Sequence, residues 1–185
     1  MRNIQILFIG LVCLSIVACT KGLNEDQSNK LNLLQSRLDS TLNKIEAVDT
    51  AKNKVSFNHF FENIRFIQEE MTDTITPELA LFFDDYYSMR KAFKMYAQEY
   101  PLILNELKIS KKQLADLKHD GEAGILEDGQ FEKYYHLESN NLVLAEEKAN
   151  EVLYAIETIE PMYDEMNPKV DSILNIYRTK ESAEK

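Results

Sequence analysis

The sequence predicts an all-α protein, an elongated antiparallel bundle of four or five helices containing a long coiled-coil-like hairpin. Three observations carry this. Apolar residues recur at alternating spacings of three and four along most of the chain, and strand-like alternation is absent. Gly and Pro number only five and four among 185 residues, which argues against all-β, collagen-like and low-complexity chains. Apolar residues make up 44% and charged ones 28%, in a chain long enough for one domain with its own core.

Leu31, Leu34, Leu38, Leu42, Ile45 and Val48 mark a first helix from about 25 to 50. Phe57, Phe60, Ile64, Ile67 and Met71 mark a second in a shifted register, so a bend belongs within Asp49–Ser56. Thr76-Pro77-Glu78 then opens a long segment with an N-cap residue, Pro at the first helical position and an acid in the first turn. Its seam runs Leu79, Phe82, Tyr86, Met89, Phe93, Tyr96, Tyr100, Ile103, Leu107, Ser110, Leu114 and Leu117, with Gly121 as a C-terminal stop. Pro101 implies a kink in a continuous helix, which the unbroken register favours, or else a restart at the capping box Ser110-Lys111-Lys112-Gln113.

Asp128 is the expected N-cap of the last helix. Its seam runs Phe131, Tyr135, Glu138, Leu142, Ala145, Ala149, Val152, Ile156, Ile159, Tyr163, Met166, Val170, Ile173 and Tyr177. Pro161 and Asn167-Pro168 predict a break near 161–168, because Asn167 reads as a fresh N-cap. Folding 77–118 against 129–178 about residue 124 sets Leu117 opposite Phe131, Ile103 opposite Ala145, Tyr100 opposite Ala149 and Phe93 opposite Ile156. Large residues then face small ones, and Ser110 faces Glu138 as a candidate structural polar layer that could fix register.

The N-terminus carries the clearest functional signal. Arg2 precedes a short apolar run from Ile6 to Val17, of signal-peptide rather than membrane-spanning length. The run ends in Ile16-Val17-Ala18-Cys19, which resembles the lipobox of bacterial lipoproteins. The resemblance implies cleavage before Cys19, acylation of its sulfur and of the new amine, and a membrane anchor at that residue. Thr20 follows where inner-membrane lipoproteins often carry Asp, so the outer membrane is expected; its periplasmic face is favoured, with surface exposure as the alternative. Glu25-Asp26 faintly resembles the acidic export tags of surface-exposed lipoproteins. The expected divisions are a signal peptide (1–18), lipidated Cys19 with a polar tether (19–29), one helical domain (30–180) and a disordered tail (181–185).

Charge and motifs exclude several function classes. With 31 acidic and 21 basic residues the net charge is −10, which disfavours nucleic acid as a partner. Cys13 lies within the signal and Cys19 is the anchor, leaving no thiol for catalysis, zinc or disulfides. Di-iron bundles need two Glu-x-x-His pairs, whereas His59, His119 and His136 supply only Asp116-x-x-His119. The acidic loop Asp120–Gly129 fails the calcium-loop pattern, because Ile125 stands where the sharp turn needs Gly. No phosphate loop or nucleophile elbow occurs, so neither metal, cofactor nor enzymatic activity is expected. Eleven of the eighteen Phe and Tyr residues fall within 57–100, mostly on the seams. Phe61, Phe66, Phe83 and Tyr87 lie off them and would form a binding surface if exposed.

In general character the remainder resembles the small all-helical lipoproteins of Gram-negative envelopes. That implies a non-catalytic, lipid-anchored spacer or partner-binding module, with an envelope protein as a possible partner. The alternative is a carrier holding an apolar ligand between helices.

Overall fold

The computed structural model describes residues 22–71 and 75–184, and all regular structure within them is helical. Helices α1 (Glu25–Glu46), α2 (Thr50–Glu69), α3 (Pro77–Ser88), α4 (Arg90–Glu122) and α5 (Gln130–Glu184) follow in order. They form three long strokes rather than five. Lys30 pairs with Glu132 (3.4 Å) and Lys52 with Asp164 (3.1 Å), so α1 and α2 both run parallel to α5. Asp39 pairs with Lys111 (2.8 Å) and Glu46 with Lys108 (3.4 Å), so α4 runs antiparallel to α1. At 1.5 Å per residue, the 55 residues of α5 span about 80 Å. The result is an up-down-up rod.

Local chemistry explains the starts and stops. Asn24 Oδ1 accepts from the Gln27 N–H (2.9 Å), and Gln27 Oε1 accepts from the Asn24 N–H (3.1 Å). This capping box begins α1 at Glu25, so residues 25–29 are helix rather than tether. Asp49 caps α2, and the α1–α2 joint is a short jog at 47–49, reaching the first residue of the expected bend, with 50–56 already helical. Thr76 caps α3 by accepting from the Leu79 N–H (3.3 Å). The α3–α4 break is one residue, Met89, whose N–H reaches back only three residues to Tyr86.

Three expectations about the long helices are corrected. First, α4 does not stop at Gly121 but runs on to Glu122; at Pro101 it continues, the alternative that the unbroken register favours over a restart at Ser110. The stop is Gly124, at φ 65°, where the Ile125 N–H closes back on the Asp120 carbonyl. Gly121 is buried instead, and a Cβ there would collide with the isobutyl group of Leu23. Second, α5 begins after Gly129 (φ 80°), with Gln130 Oε1 accepting from the Glu127 N–H, and Asp128 is not its cap. Third, α5 passes Pro161 and Pro168 unbroken to Glu184, into the segment expected as a disordered tail. Each proline removes one N–H and frees a carbonyl four residues back, and packing on the other strokes holds the helix together regardless.

Both seams are core. Ten of the twelve positions from Leu79 to Leu117 are buried, Leu79 and Phe82 being half-buried. The buried side chains form two clusters along the rod. One joins Leu31, Leu34, Leu38, Leu42 and Ile45 to Ile103, Leu107, Leu114, Leu142, Ala145 and Ala149. The other joins Phe60, Ile64, Tyr86, Phe93, Ile159, Tyr163, Val170 and Leu174. Phe66 and Phe83 are buried in it, with Phe61 and Tyr87 half-buried against it, so these aromatics cover core rather than form a surface.

The hairpin register differs from the expected one. The Phe93 ring meets Tyr163 edge-on, 5.7 Å between centroids, not Ile156. Ser110 lines a surface groove with Asn141 and Ala145, placing it about one heptad from its expected opposite, Glu138. The cause is the turn. Extending α4 to Glu122 moves the pivot from residue 124 toward 127–128, which displaces the pairing by seven positions while keeping the same faces together.

Candidate functional site

Cys19, the residue expected to carry the lipid, lies outside the described residues. The described chain begins, at Gly22, at one pole of the rod. Leu23 packs on the first core cluster over Gly121, and Gly22 lies beside the Glu122 carbonyl. That pole also carries the α4–α5 loop. Among the described residues no helix is long and apolar enough to cross a membrane.

Ser110 and Glu138, the expected polar layer, are each buried to 6% exposure on the α4 and α5 seams. No hydrogen bond joins them, and Glu138 Oε2 has no partner. The one-heptad displacement explains this, since it leaves Ser110 with Ala145 and carries Glu138 toward the leucine layers near the loop. Burial alone pushes the Glu138 carboxyl above the ordinary carboxylate range.

The densest polar constellation lies in the other half of the rod. Asn63 is fully buried on α2, and its Nδ2 donates to Asp171 Oδ1 (2.8 Å) and Asn167 Oδ1 (3.3 Å). Asn167 Nδ2 donates to Asp171 Oδ2 (2.9 Å), and the Tyr86 hydroxyl donates to Asn167 Oδ1 (2.7 Å). His59 bridges Asp171 Oδ1 (Nε2, 3.1 Å) and the Tyr163 hydroxyl (Nδ1, 3.1 Å). The carboxylate can only accept, so Nε2 carries a proton toward Asp171; in the neutral imidazole Nδ1 then accepts from Tyr163. Arg178 closes the network, donating to Asn63 Oδ1 (3.4 Å) with its guanidinium 4.7 Å from the Phe66 ring.

Electrostatics keep both phenols protonated. Burial, with the Asp171 and Asp164 charges adding, pushes Tyr163 up to about 12. Tyr86 is raised still further, chiefly by burial. Neither is poised as a nucleophile or base near neutral pH, and both serve as donors. The constellation spends its polar groups on one another, locking α2, α3 and α5 at one relative height.

The chain matches no protein-family model, no curated protein and no solved structure. Its own geometry therefore carries the functional argument. Among the described residues no group of three or more His, Cys, Asp or Glu side chains is placed to hold a metal ion. His119 and His136 take no part in the His59 network; of the acidic segment 120–129, residues 120–122 end α4 and 123–129 form the interhelical turn.

Sequence reasoning passed over Asn63 and read Asn167 as a helix cap rather than as a buried bridging residue. The signal for Asn63 was the run Asn53, Ser56, Phe60, Asn63, spaced three, four and three, a seam with polar members. For Asn167 the signal was helical drift. A straight α-helix advances about 20° per heptad against a strict seven-residue repeat. After Tyr163 the fully buried positions of α5 are accordingly Asn167, Val170 and Leu174, whereas Met166 and Ile173 of the strict seam are half-buried.

Proposed function

We propose that this chain is a lipid-anchored cell-envelope protein, non-catalytic, serving as a helical spacer or partner-binding module. The anchor is Cys19, Thr20 favours the outer membrane, and the periplasmic face is the favoured side, with surface exposure the alternative. The observation that supports this best is the position of Gly22 and Leu23 at one pole of a rod about 80 Å long. An anchor there holds the opposite pole far from the bilayer. Exposed apolar side chains along α5, Leu137, Leu144 and Tyr154 among them, offer an envelope protein a surface to grip. Cys19→Ser is expected to abolish incorporation of radiolabelled palmitate and release the protein from membrane fractions. Wild-type labelling of the Cys19→Ser protein would overturn the anchor.

The carrier reading draws on one feature, an apolar groove of about 490 Å³ between α2 and α4, lined by Phe57, Tyr96, Ala97, Tyr100 and Pro101. Pro101 frees the Ala97 carbonyl in its wall as an acceptor, and Lys54 sits on its rim. Titration with anilinonaphthalene sulfonate should give saturable fluorescence that Ala97→Trp abolishes. A response unchanged by that substitution would rule the groove out.

A further inference from the structure

We propose that the α4–α5 loop, Ala123–Gly129, rests on the bilayer that holds Cys19, with the Ile125 side chain among the lipid headgroups. This deepens the lipid-anchored reading and rests on it. Cys19 stands three residues before Gly22, and three residues of fully extended chain reach about 10 Å. Gly22 is itself fixed beside the Glu122 carbonyl, and Leu23 is wedged over Gly121. The acyl chains therefore enter the membrane within a short reach of the last turn of α4. The loop follows that turn directly. Gly124, at positive φ, reverses the chain and leaves Ile125 64% exposed at the tip, while Leu126 folds back onto the core.

An exposed isoleucine at the pole nearest the lipids has an apolar phase within reach. The surrounding acids select the kind of surface. Glu122, Glu127 and Asp128 are exposed around Ile125, and they repel anionic headgroups. The loop thus fits a zwitterionic leaflet, such as one rich in phosphatidylethanolamine. With the tip seated, α1 and α2 rise from the membrane, and the end of α2 stands about 70 Å above it.

Fluorescence quenching tests this on the natively lipidated full chain. Once the signal is removed and Cys19 acylated, a thiol at Ile125→Cys or Glu70→Cys is the only one to label. Each variant carries a nitrobenzoxadiazole probe and is reconstituted into phosphatidylcholine–phosphatidylethanolamine vesicles containing phosphatidylcholine spin-labelled at acyl carbon 5. The expected result is at least a twofold loss of fluorescence at position 125 and none at position 70. Palmitate labelling of the same preparations separates the two readings. Palmitate present without quenching at 125, or with equal quenching at both positions, overturns the tip contact alone. Absence of palmitate overturns the anchor, and the tip contact falls with it.

Discussion

Replacing Glu138 should make this protein more stable, and more so at neutral pH than in acid. The side chain is 6% exposed, and one carboxylate oxygen has no hydrogen-bond partner. Leaving such a group buried and unpaired costs about 1–3 kcal/mol. Glu138→Leu removes that cost and lets Phe131, Tyr135 and Leu142 continue along one apolar seam. A gain of about 2 kcal/mol in a chain of this length corresponds to a Tm rise of about 4–8 °C. The pH dependence follows from the raised folded-state pKa. The folded protein holds this proton more tightly than the unfolded chain does. Glu138 therefore contributes most to stability below its unfolded value near 4.5, and that contribution is lost as pH rises through the folded value. Glu138→Gln, which cannot ionise, should match wild type near pH 4 and exceed it at pH 7. Thermal melts followed by circular dichroism at both pH values, on wild type and the two variants in one detergent, measure this. A Leu variant that melts below wild type, or a Gln variant whose advantage does not grow with pH, would refute the reasoning.

Asn167→Leu should lower stability by about 2–4 kcal/mol in urea titrations, because it leaves the Tyr86 hydroxyl and Asn63 Nδ2 short of an acceptor at full burial. Gly121→Ala should cost about 1–3 kcal/mol through its clash with Leu23. Adding Leu23→Ala should restore part of that loss, and a double-mutant cycle with no coupling would disprove the contact. Ala149→Phe, at a position with no exposure, should destabilise by about 1–3 kcal/mol or more. Its exposed neighbour Asn150 should accept Ala within about 0.5 kcal/mol.

The fold was legible because burial follows periodicity. Every residue of the α1 seam from Leu31 to Ile45 is buried, and so are most positions of the two long seams. A local pattern states which face of a helix turns inward, because a 3–4 spacing has only one way to make a stripe. Cap chemistry was legible where side chain and backbone sit within four residues of each other, as at Thr76. It failed at Asp128, because α5 starts one residue later, after Gly129, and the side-chain bond there runs from the loop's Glu127 N–H to Gln130 Oε1. The prolines misled for a related reason. A proline's local penalty is fixed at a few kcal/mol, and the rod buries enough of α5 against two other strokes to outweigh it at both positions.

What periodicity cannot state is height. Sliding one seam past another by seven residues returns the same faces to contact, so the pattern is degenerate by whole heptads. Two nonlocal features break that degeneracy here. One is the turn, whose position depended on Gly124 rather than Gly121. The other is the Asn63–Asn167–Asp171 network, which forms only at one height of α2 against α5. A one-heptad slide, about 10 Å, would strand two buried amides among Ile, Val and Leu. The Ser110–Glu138 pair fixes no height, because the two residues do not meet. Glu138 instead sits as a cost that the rest of the core carries. The specifying polar contact was therefore real but in the other half of the rod, on residues whose inward facing comes from helical drift. A chain read by strict heptads alone will mistake a tolerated carboxylate for the registering contact and pass over the asparagines that do the registering.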